Sequence, residues 1–101
     1  MASLIGLSGK KLNQYLFPNG NPNYDFQIDH IIPLSKFNLK NRDHQLVALY
    51  YKNLQILPSL ENLKKGASLQ DNWKSIIEKI CIERNIQSKK IINYIESVTQ
   101  C

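Results

Sequence analysis

The chain has 101 residues, room for one domain and for a modest core without staples. Hydrophobic residues make up 43% and charged residues 21%, an ordinary globular balance that argues against disorder. Four Gly and four Pro exclude collagen-like and low-complexity organisation. Apolar runs such as Ile31-Ile32 and Ile91-Ile92 fall far short of the ~20 residues that span a bilayer. The start, Met1-Ala2-Ser3-Leu4, lacks the basic and long apolar regions of a signal peptide. The expectation is a soluble, intracellular, non-secreted protein with no membrane partner.

The net charge of +5 favours polyanionic partners, because neutralising phosphates releases counterions. That signal is discounted, since 11 of the 13 cations are Lys and the chain also holds 11 Asn and 13 Ile. Such an excess is what a coding sequence rich in A and T produces without selection for binding. The two cysteines, Cys81 and Cys101, form no C-x-x-C pair, so a zinc finger or ribbon is excluded by count. Cys81 lies in an apolar helical pattern and reads as a small core residue.

In chain order, Ser8 caps a short helix with Leu12, Tyr15 and Leu16 on one side. Pro18 and the turn Asn19-Gly20-Asn21-Pro22 stop it. Phe26 to Ile32, rich in β-branched residues and closed by Pro33, reads as a strand. Asn41 or Asp43 caps a helix to about Tyr51, with Leu46, Val47, Leu49 and Tyr50 on its apolar side. Leu54-Gln55-Ile56-Leu57 is a second strand closed by Pro58. Ser59 caps a helix through Asn62, and Gly66 stops it. After a cap at Ser68, the series Leu69, Trp73, Ile76, Ile77, Ile80, Cys81 and Arg84 has the helical period. A last helix from Ser88 buries Ile91, Ile92, Ile95 and Val98. The chain divides into an N-terminal helix and turn (1–23), a middle part (24–66) with a helical insert (41–51), and C-terminal helices (68–101).

The unusual feature is Asp29-His30 beside a strand pattern, followed by the amides Asn53 and Asn62. Histidine can sit neutral at pH 7 and still accept a proton. Asp and Asn offer the hard oxygens that Mg²⁺ prefers. A base beside a lightly liganded cation suits phosphodiester hydrolysis. Spacing alone carries this weakly, because a half-buried His with a local carboxylate is more often structural.

The full string is more specific. Phe26-Gln-Ile-Asp-His-Ile-Ile-Pro-Leu-Ser35, a helical insert, Asn53-Leu-Gln-Ile-Leu57, and Glu61-Asn-Leu-Lys-Lys-Gly66 resemble the HNH endonuclease family, in particular its short phage- and virus-type members. Phe37-Asn38-Leu39 and Tyr50-Tyr51 fit the same pattern. The resemblance covers about 43 of 101 residues, 24–66, and extends only loosely upstream into 12–24.

It implies an α+β domain with a ββα-metal (His-Me finger) core: two antiparallel strands and a crossing helix, here flanked by N- and C-terminal helices. By the same carry-over His30 is the general base, and Asp29 and Asn62 hold one divalent cation, Mg²⁺ with Mn²⁺ able to substitute. Asn53 orients His30 and steadies the loop. Lys65, with Lys64 beside it, would touch a phosphate of double-stranded DNA. Many family members hold this core with a structural zinc on Cys pairs. Here the corresponding places carry Pro58 and Glu61, so no structural zinc is expected. Asn62 in place of a third-motif His fits Mg²⁺ better than a tightly held Zn²⁺.

Asp29 and His30 are strand neighbours and point to opposite faces, so both serve one phosphate only where the strand ends or twists. Other residues read as structural. His44 is expected to be an exposed helical histidine. Lys64, Lys65, Lys74 and Lys79 form either a DNA-facing stripe or a solvated face. Lys89-Lys90 opposes the macrodipole at a helix start, which could mark a phosphate contact. Trp73 and Tyr94 read as core. The leading function is a metal-dependent DNA endonuclease; the alternatives are a non-cleaving DNA-binding relic of the HNH fold and a protein-interaction module using the helical tail. So small a chain leaves little room for base readout. A homodimer or a larger parent protein could add it.

Overall fold

The structure, a computed structural model, describes residues 4–99. The expectation for Cys101 and the last residues of the tail lies outside them. Ser8 caps α1 (Gly9–Leu16) as expected, its hydroxyl accepting from the Lys11 amide at 3.3 Å. Asn41 caps α2 (Arg42–Ala48), its Oδ1 accepting from Asp43 and His44 amides at 2.9 and 3.4 Å. The expected helix to Tyr51 stops at Ala48, and a 3-10 turn over Tyr51–Asn53 follows.

Strands β1 (Phe26–His30) and β2 (Leu54–Pro58) pair antiparallel, with Phe26 opposite Pro58, Asp29 opposite Gln55, and His30 opposite Leu54. β1 ends two residues before the expected Ile32. The Ile31 amide still donates to the Asn53 carbonyl, but the Ile32 amide donates to the Asn53 side chain instead of a strand partner. Pro33 then has no amide to offer.

Helix α3 (Ser59–Lys65) packs on both strands and runs one turn beyond Asn62. Ser59 is its first residue rather than its cap, and its amide donates to the Asp25 carbonyl. Gly66, at φ +54°, ends it as expected. Helix α4 (Trp73–Arg84) starts later than the expected cap at Ser68, whose hydroxyl instead donates to the Lys65 carbonyl at 2.7 Å. Asn85, left-handed at φ 57°, turns the chain into α5 (Ser88–Thr99).

The fold is therefore α+β: among the described residues, five α-helices and one two-stranded antiparallel sheet. Its core joins Val47 and Ala48 of α2, Ile77, Ile80 and Cys81 of α4, and Ile91 and Ile95 of α5. Ile32 and Phe37, from the segment after β1, complete it. Trp73 packs against that core from its edge, as expected. Of the two strands only Leu54 is buried. The sheet rides on a helical core rather than building one, so its position depends on a few tethers. No helix among the described residues is long and apolar enough to cross a membrane.

His44 corrects the expectation of an exposed residue: it is 5% exposed. It stands one turn before Val47 and Ala48, on the face of α2 turned to the core. Its Nδ1 accepts from the Asn38 amide at 3.0 Å, and its ring meets Tyr94 edge-on at 5.1 Å and Phe37 at 6.1 Å. Burial pushes its pKa below the usual histidine value, against the weaker opposing pull of Asp43.

Candidate active site

The pleat puts Gln27 and Asp29 on one face of β1 and Phe26, Ile28 and His30 on the other. The first face is the one α3 covers. There Lys65 Nζ lies 3.2 Å from Asp29 Oδ2 and donates to the His30 main-chain oxygen at 3.1 Å. Gln55, opposite Asp29 on β2, donates to the same Oδ2 at 3.1 Å. The Lys65 and Asp29 side chains are only 12% and 14% exposed, so this ion pair is sheltered from solvent. One turn earlier on α3, Asn62 donates through Nδ2 to Gln27 Oε1. Two rungs thus join helix to strand, Asn62–Gln27 and Lys65–Asp29. Asn62 reaches the strand residue two before Asp29, while Lys65 fills the position against the carboxylate.

The His30 ring belongs to the other face, as strand alternation requires. It lines an apolar pocket of about 440 Å³ with Leu4, Ile5, Leu49 and Leu54. Burial pushes its pKa down; Asp29 opposes this and Lys65 adds to it. The imidazole is therefore neutral near pH 7 and able to accept a proton. Leu4 and Ile5 are held beside it through their carbonyls. The Ile5 carbonyl accepts from the Tyr51 amide at 2.9 Å, and the Leu4 carbonyl from Arg84 Nη2 at 2.7 Å. Sequence reading missed this wall, since nothing local in Leu4-Ile5 or Arg84 points to His30. It also missed Gln27 and Gln55, although their alternation with Asp29 across two strands is a usable signal.

Asn53 is fully buried, and among the described residues its side-chain hydrogen bonds all go to main chain, none to the His30 ring. Its Oδ1 accepts from the Ile32 amide at 2.8 Å, and its Nδ2 donates to the Ile32 and Ala48 carbonyls at 3.1 and 2.9 Å. Its main-chain oxygen accepts from Ile31 at 2.8 Å. Its side chain thus joins the backbone just after His30 to the end of α2.

The four lysines differ in their surroundings. Lys64 is exposed, Lys65 is paired with Asp29, and Lys74 pairs with Glu96 at 2.8 Å. Lys79 lines a pocket with Lys52 and Glu83. Lys89 is exposed, and Lys90 lines a polar pocket of about 290 Å³ with Asn41, Asp43 and His44.

No three or more His, Cys, Asp and Glu side chains converge among the described residues. The candidate cation site is lighter: the Asp29 carboxylate, plus Asn62 Oδ1, which has no hydrogen-bond partner among the described residues. One carboxylate and neutral oxygens suit Mg²⁺, which keeps several of its waters. These residues fit such an ion in chemistry and share one face, with Lys65 standing between them and full access to Asp29. Comparison of the chain with models of known protein families, with curated proteins and with solved structures yields no match.

Proposed function

We propose that the protein is a metal-dependent DNA endonuclease of the HNH type, hydrolysing phosphodiester bonds in double-stranded DNA. One observation carries the reading. The string that resembles the family folds as two antiparallel strands under a helix, with Asp29, Asn62 and Lys65 on the shared face and His30 at the strand end.

On this reading Asp29 and Asn62 hold one Mg²⁺, or Mn²⁺ in its place. When bound, that ion stabilises charge on the phosphate and on the leaving 3′-oxygen. His30 takes the proton from the attacking water, a contribution of ~10²–10⁴ in rate for a placed general base. Because the His30 ring and the Asp29 carboxylate leave β1 on opposite faces, the phosphate must lie off the end of the ribbon, where both can reach it. The end of β1 at His30 supports that placement. Asn53 holds the chain leaving His30 through the Ile31 and Ile32 backbone, which keeps the ring at that edge. Leu4, Ile5, Leu49 and Leu54 give the ring's other side an apolar surrounding.

The test is nicking or linearisation of supercoiled plasmid with Mg²⁺, Mn²⁺ or EDTA, beside folded His30→Ala. Cleavage that needs the cation and is lost in the variant is expected. Activity equal to wild type in His30→Ala would remove the assigned base. The second reading, a DNA-binding relic that does not cut, draws on the ion pair that already occupies Asp29. It predicts a plasmid shift on native gels with no cleavage under any cation.

A further inference from the structure

Lys65 stands at a place that a cation bound to Asp29 and the His30 carbonyl would also take. Its ammonium lies 3.2 Å from Asp29 Oδ2 and 3.1 Å from the His30 carbonyl, two oxygens a hard cation would also choose. A divalent ion on the same carboxylate would sit within a few ångströms of the ammonium, in a sheltered place where like charges repel strongly. Lys65 and Gln55 both take Oδ2 of Asp29, and an ion entering through Oδ1 would still meet the ammonium at close range, so the two compete for one carboxylate.

We infer that Lys65 is an internal competitor for the cation site: it closes the site in the free protein and must leave Asp29 when the ion enters. The inference rests on the nuclease reading above and extends it to how the site is loaded. A destination for the ammonium exists. Glu61 lies four residues before Lys65 on α3, exposed and with no ion pair among the described residues. A Glu four residues N-terminal to a Lys is the favourable order for a helical pair. Departure of Lys65 also frees the face that Asn62 shares, so the amide can turn from Gln27 toward an ion on Asp29. A place-holding ammonium keeps Asp29 from standing as a sheltered, uncompensated charge before the ion arrives.

The experiment measures Mn²⁺ binding to the whole protein without DNA, by electron paramagnetic resonance of free Mn²⁺. Lys65→Met keeps the stem and removes the charge; Lys65→Gln serves if the Met variant does not fold. Lys40→Met, an exposed lysine outside the site, controls for net charge. Binding on the order of tenfold tighter in the Lys65 variant is expected, as for loss of a partly buried competing charge, with Lys40→Met within about twofold of wild type. Mn²⁺ should also raise the melting temperature of the Lys65 variant more than that of wild type. A merely structural Lys65 would lower the melting temperature without tightening Mn²⁺ binding. Equal or weaker binding in the Lys65 variant overturns the competition and leaves the cation site standing. No Mn²⁺ binding by either protein overturns both this inference and the cation site of the nuclease reading.

Discussion

Replacing Asn53 by Ala tests whether the sheet is tethered as the structure indicates. The substitution removes three hydrogen bonds, those to the Ile32 amide, the Ile32 carbonyl and the Ala48 carbonyl, from a fully buried position. Each buried backbone group left without a partner costs about 1–3 kcal/mol. Water entering the space of the lost amide would recover part of this, so the expected loss is about 3–5 kcal/mol. For a domain of this size, with a total stability of about 5–15 kcal/mol, that is a large fraction. It corresponds to a fall in melting temperature of about 15–30 °C. Urea denaturation at pH 7.5 measures it, and amide exchange at Ile32 localises it. Asn53→Asp is a sharper probe. It keeps the acceptor for the Ile32 amide but turns a carboxylate oxygen toward two carbonyls, so it should be no more stable than the Ala variant. A loss below about 1 kcal/mol in Asn53→Ala, with Ile32 still protected, would refute the clamp. Loss of cleavage by either variant would then be read as displacement of His30, not as removal of a group that touches the phosphate.

Two further outcomes follow from the same packing. His44 is held neutral in the folded state with its pKa below that of the unfolded chain, so the unfolded state binds the extra proton. Its contribution is complete above about pH 6.5 and is lost as pH falls from there through the lower folded value. Urea midpoints at pH 7.5 and pH 5 should therefore separate more in wild type than in His44→Gln; equal separation would contradict the buried, neutral ring. At Gly6, φ is +82° and an added Cβ would meet Tyr50 Cε1 at 2.6 Å and Arg84 Nη2 at 2.7 Å. Gly6→Ala should cost on the order of 1–3 kcal/mol and shift the Leu4-Ile5 wall off His30. A stable variant with an unchanged His30 titration by NMR would count against that wall.

The elements were legible because their signals are local. Ser8 and Asn41 cap the helices they were expected to cap or share in capping, and Pro58 and Gly66 fall at ends. The periodicity through Ile77, Ile80 and Cys81 names the face that meets α5. Errors of a few residues arose where a distant group intervened. β1 stops early because a side chain 21 residues away takes the Ile32 amide. His44 is buried against expectation because its place one turn before Val47 and Ala48, not its polarity, decides which face of α2 it takes.

Sequence by itself determined the order and type of the elements, the alternation that separates His30 from Asp29, and the residues worth testing as a site. Each of those depends on a residue's own conformational preference or on spacing along one element. Only the tertiary structure decided the electrostatics and access of the site. It set Lys65 against Asp29 and Asn62 against Gln27, and it roofed His30 with Leu4 and Ile5. These pairings join residues 25 to 36 positions apart, and in the case of Arg84 with Leu4, 80. The chain can satisfy buried polar groups over such separations in several ways, and the choice among them is made when strand, helix and terminus pack together.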